Sequence, residues 1–180
     1  MDIITTAFEA RLNEDLYSTL KVCGEVDEVT PEATDIEEKW PLILNEYMAD
    51  GVREFQDYPM TALGWIMYVG MAVAKFWDQD WEQYTKNDRP YESLRDKRGF
   101  DYLDEYISEE VLGLDAKQSE ALTKLVGNCA ARTLNALSHE QAEPGTAEAL
   151  QVFTGCLRQL YLMGAYVQLH RMGYRMTKLN

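Results

Sequence analysis

The sequence predicts an all-α fold: a single-domain bundle of five or six helices with a buried central helix and a long C-terminal helix. Three observations carry that expectation. Apolar residues recur at spacings of three and four along most of the 180 residues, the period of a helix with one buried face. No alternating apolar and polar run of strand length competes with them. The stretch from Ala62 to Trp77 is apolar almost without interruption and contains Ala62, Met67, Met71, Ala72 and Ala74. It is too long for a buried strand and rich in helix formers.

Each element has its own signals. A first helix is expected after Thr6, whose hydroxyl can cap it while Glu9 reaches back from the third position. Phe8, Leu12, Leu16, Leu20 and Cys23 form its apolar face. Residues 24–40 read as an acidic connector with one short turn after Asp35. Pro41 suits a first helical turn, and Leu44, Met48, Val52 and Phe55 continue that helix to a break at Tyr58-Pro59.

The central helix is expected over about residues 61–84. Its apolar surface wraps all round, which marks a helix enclosed by others, and Gly64, Gly70 and Ala74 leave room for close backbones. A bilayer span needs about 20 apolar residues. Here Lys75 interrupts the run and Asp78 and Asp80 end it, so no membrane span is expected. Residues 85–98 read as a link. Phe100, Leu103, Ile107 and Val111 then mark a modest helix that stops at Gly113.

Asp115 and Gln118 form a capping pair for a helix through Leu122, Val126, Cys129, Thr133 and Leu137. Residues 138–146 read as a second link. In the last helix Ala149, Phe153, Cys156, Leu160, Met163, Val167, His170 and Tyr174 alternate in steps of four and three, a seam for bundle packing. A bend at Gly164 is the alternative to one continuous rod. The width of the apolar surface also makes a homodimer an expectation.

Charge narrows the partners. Seventeen basic against thirty-one acidic side chains give a net charge of -14. Such a chain repels phosphate backbones and anionic lipid headgroups, so neither nucleic acid nor membrane is expected, and a protein with a basic surface is. Cys23, Cys129 and Cys156 cannot all pair within one chain. Each lies among apolar neighbours, which reads as reduced, buried thiols in a cytoplasmic protein. The N-terminus carries acids where a signal peptide needs bases.

Organised chemistry is scarce. The two histidines, His139 and His170, have Ala136 and Val167 three residues earlier, so neither completes the Glu-x-x-His pair of a bundle metal site. Zinc spacings, glycine-rich phosphate loops and the hydrolase elbow are missing, and no cofactor is expected. Asp50 with Glu54, and Asp78 with Glu82, stand four apart on helix faces. If those helices were neighbours, the four acids could surround magnesium for diphosphate hydrolysis.

Two groups remain as candidate binding residues. Trp77, Trp81 and Tyr84 follow the central run at spacings of four and three, beside Asp78 and Asp80; they would form an aromatic patch with an acidic rim for a protein partner. Tyr166, His170 and Tyr174 would line a small-molecule pocket. The leading expectation is a non-catalytic interaction or regulatory protein. A small-molecule-binding bundle and the magnesium-dependent hydrolase are the alternatives.

Overall fold

The computed structural model describes residues 7–140 and 142–174. It is all-α, with nine α-helices among the described residues instead of five or six. These are α1 (Ala7–Val22), α2 (Thr34–Glu38), α3 (Trp40–Asp57), α4 (Pro59–Gln79), α5 (Trp81–Lys86), α6 (Glu92–Arg98), α7 (Leu103–Tyr106), α8 (Ala116–Ser138) and α9 (Ala147–Arg171). A 3-10 turn at Phe100–Tyr102 precedes α7, and a π turn at Ile107–Val111 follows it.

The extra helices lie in stretches the sequence presents as connections. The segment 24–40 holds α2, anchored by buried Ile36, and 85–98 holds the end of α5 and all of α6. The central helix also stops earlier than expected. At Asp80 the backbone becomes extended (φ -156°, ψ 94°), and the Asp80 carboxylate accepts the Gln83 N–H at 3.1 Å. An aspartate placed this way ends one helix and caps the next.

Other boundaries follow their local chemistry. Pro41 and Pro59 stand in first turns, where the missing N–H costs nothing. Asp115 and Gln118 form a reciprocal capping box. Gly113 stops the π turn at φ +64°, a conformation open to glycine at no steric cost. The proposed Thr6 cap lies outside the described residues.

Two helices, not one, occupy the centre. α4 and α9 make the most extensive contact in the fold, and α9 runs unbroken through Gly164. They meet through two glycines. A Cβ at Gly70 would overlap the Tyr161 carbonyl and crowd the Ala165 nitrogen; one at Gly164 would overlap the Met67 carbonyl and crowd the Met71 nitrogen. α1 runs parallel to α9, as Glu9–Arg158, Asn13–Gln159 and Tyr17–Tyr166 contacts show in register. α8 runs antiparallel to α4, with Val126 against Gly64 and Thr123 against Tyr68. α3 folds back on α4 through Tyr58 and reaches α9 where Phe55 meets Phe153, ring centres 5.0 Å apart.

By length and composition α4 could cross a membrane, but 67% of its most apolar window is buried within the protein. That is how the core helix of a bundle passes the same test.

The cysteines divide. Cys23 is exposed, contrary to expectation, because α1 ends at Val22 before Cys23 can face the core; Cys129 and Cys156 are buried. Burial pushes both buried thiols up to about 12, far from the thiolate form that reacts. Under native conditions a thiol reagent at pH 8 is expected to label Cys23 rapidly, and Cys129 and Cys156 only after denaturation. Rapid labelling of all three would contradict this packing.

Candidate functional site

The aromatic residues singled out in the sequence are divided between support and surface. Trp77 donates through Nε1 to the Asp35 carboxylate at 3.3 Å and packs on Tyr174, whose hydroxyl donates to Asp78 at 2.5 Å. Tyr84 is buried and donates to the Asp35 carbonyl oxygen at 2.8 Å. Burial first, then the nearby acids Asp35 and Glu38, raise its phenol above the ordinary range. Trp77 and Tyr84 therefore pin α2 onto the bundle. Trp81 is 53% exposed and stacks on Tyr84 at 5.8 Å.

Tyr166, His170 and Tyr174 meet different partners. Tyr166 is buried with its ring edge-on to Tyr17 at 6.1 Å. His170 Nδ1 lies 2.9 Å from an Asp27 carboxylate oxygen, tying the end of α9 to the segment after α1. The cavity between Trp77, Leu169, Tyr174 and α2 measures about 50 Å³, well below the hundreds of Å³ that small-molecule sites occupy.

The four carboxylates also separate. Asp50 is 5% exposed and accepts the Tyr91 hydroxyl at 2.6 Å, with Arg53 at 3.1 Å and Arg95 at 3.3 Å. Glu54 meets Arg53, Asp78 meets Tyr174, and Glu82 meets Lys86. Helix register explains the separation. Asp50 lies eight residues before the Tyr58 turn and Asp78 twenty after it, so at 1.5 Å per residue they differ by roughly 18 Å along the hairpin. Among the described residues no group of three His, Cys, Asp or Glu side chains is placed to hold a metal ion.

A different surface stands out. Three helices converge near the start of α9, each contributing an apolar pair three residues apart: Val52 and Phe55 from α3, Leu134 and Leu137 from α8, Leu150 and Phe153 from α9. Residues three apart share a helix face, so the three pairs line one groove of about 670 Å³. Phe55 and Phe153 form its floor. Val52 and Leu150 stand in its walls, 52% and 51% exposed. The link between α8 and α9 closes one side: Gly145 turns the chain at φ +83°, and the Thr146 hydroxyl caps α9 by accepting the Ala149 N–H at 3.1 Å.

The groove's surroundings are acidic. From Leu134 to Phe153 the sequence has Glu140, Glu143 and Glu148 and neither lysine nor arginine. The cations nearby are already paired, Arg11 with Glu140 and Arg53 with Asp50 and Glu54. The sequence pointed elsewhere because Val52, Phe55, Leu137 and Phe153 fit the core period. Periodicity marks an apolar face without saying whether the chain itself covers it.

No protein-family model matches the chain, and no curated protein or solved structure matches it.

Proposed function

We propose that the protein is an interaction module that captures an amphipathic helix bearing lysine or arginine, and that the groove of Val52, Phe55, Leu134, Leu137, Leu150 and Phe153 is its docking surface. The observation that carries the reading is an apolar groove with half-exposed walls, bordered by a segment with three glutamates and no lysine or arginine, of which Glu140 meets Arg11. Exposed apolar grooves rimmed by polar groups are the usual receptors for one face of a helix. Acidic borders favour a partner whose flanks are basic. The net charge of -14 disfavours a second copy of this chain as the occupant and repels nucleic acid. The buried free thiols support a reducing compartment, and the proposed location is the cytoplasm.

Two designed helices test the reading, one of leucine and lysine and one of leucine and glutamate in the same pattern. The lysine helix is expected to bind with a Kd on the order of 10 µM, and the glutamate helix at least tenfold more weakly. Leu150→Asp or Val52→Asp is expected to reduce binding of the lysine helix at least tenfold. This arm separates docking from bulk attraction, since a cationic peptide held by charge alone would bind the more acidic variant more tightly. Unchanged or stronger binding to the variants would sink the proposal, as would dimers that dissociate on Leu150→Asp.

A further inference from the structure

A second concavity lies towards the other end of α4, between that helix, α5 and α6, with a volume of about 750 Å³. Val73, Phe76 and Leu94 give it an apolar wall. Lys39, Lys86 and Lys97 bring three ammonium groups into the same space, against two carboxylates, Asp80 and Asp88. Glu82 offsets Lys86, so Lys39 and Lys97 are the cations that face a ligand.

Lysines and arginines differ in this protein. Each of the eight described arginines meets a carboxylate, and Lys86 pairs with Glu82 at 2.8 Å. Lys39 does not follow suit. It is half-buried, donates to the Asn87 carbonyl oxygen at 3.0 Å, and stands 4.9 Å from the centre of the Tyr84 ring. Among the described residues neither Lys39 nor Lys97 makes an ion pair. An ammonium carries three donors, so Lys39 keeps capacity for an anion. Asp80 is held at the start of α5 by its bond from the Gln83 N–H.

From this we infer that the cleft binds an organic monoanion, a carboxylate held between Lys39 and Lys97 with an apolar body against Val73, Phe76 and Leu94. The volume is that of a site for a small organic ligand. One negative charge fits better than several. Asp80 and Asp88 line the same cleft and would oppose a polyanion.

Calorimetric titration of the full chain with octanoate tests this, with octanol as the uncharged body and inorganic phosphate as the charge without a body. Octanoate is expected to bind at one site with a Kd below about 1 mM, and the two controls at least tenfold more weakly. Lys39→Gln and Lys97→Gln are each expected to weaken octanoate fivefold or more. Lys97 is exposed, so that variant keeps its fold even if loss of the Tyr84 contact perturbs the other. Leu150→Asp is expected to leave octanoate binding unchanged, which keeps this result independent of the groove. The inference is overturned if octanol matches octanoate, if Lys97→Gln binds as well as the parent, if Leu150→Asp removes binding, or if no binding is seen up to about 10 mM.

Discussion

Gly70→Ala and Gly164→Ala are each expected to destabilise the protein by at least about 2 kcal/mol, while Gly127→Ala stabilises it by up to about 1 kcal/mol. All three glycines lie inside helices, so on propensity alone alanine would help at every one. Space decides the sign. A Cβ at Gly127 meets nothing within 4 Å. At Gly70 and Gly164 it runs into a backbone carbonyl of the opposite central helix, and a carbonyl within a helix cannot turn aside as a side chain can. The helices must separate, which loosens the packing of both α4 and α9. Because the two glycines serve one crossing, the double variant is expected to lose less than the sum of the singles. Urea unfolding midpoints measure this. Equal shifts for Gly70→Ala and Gly127→Ala would contradict the crossing.

The second large effect lies between α1 and α9. Arg158 grips Glu9 with two N–H groups, one at 2.7 Å, and Glu9 is 2% exposed. Substituting Arg158→Leu takes both guanidinium N–H groups away from a buried carboxylate, and a loss of about 3–5 kcal/mol is expected. Glu9→Leu combined with Arg158→Leu removes both desolvated charges, so the double variant is expected to be more stable than Arg158→Leu alone. Denaturant unfolding of the double-mutant cycle measures the coupling. A loss below about 1 kcal/mol in Arg158→Leu would place the pair with ordinary surface bridges.

How much of this could be read in advance depends on chemistry confined to few residues. Pro59, Gly113 and the pair Asp115 and Gln118 act within one turn, and the structure uses each as its local chemistry dictates. The length and helix-forming composition of the apolar run 62–77 likewise need no partner to be recognised. The sequence shows α2 only as a short turn after Asp35, merges α5 into the central helix and hides α6 in a link, because five to seven residues give too few turns for a period to show. Asp80 followed by Gln83 carried a capping signal, hidden inside what looked like one continuous helix. The pairing of α4 with α9 as joint centre could not be read, since a glycine needed for close approach and a glycine marking a bend look alike in sequence.

The candidate surfaces were harder still. Trp77 and Tyr84 have the composition of a binding patch, yet Asp35 takes their polar hydrogens. Val52 and Leu150 sit near apolar periodic residues and are half-exposed. Which apolar face stays open is settled by where the other helices pack, and one chain position does not encode that. The same holds for Lys39, at the α2–α3 junction, and Lys97 on α6, far apart in sequence and lining one cleft only in the folded chain.

The central claim is that the groove at the start of α9 is where a partner docks. Hydrogen–deuterium exchange with and without the leucine–lysine helix locates that contact directly. The predicted result is added protection over residues 50–56, 132–140 and 146–153, with the segment around Trp77 and Trp81 unchanged. Protection centred on Trp77 and Trp81, or spread evenly over the acidic surface, would contradict it.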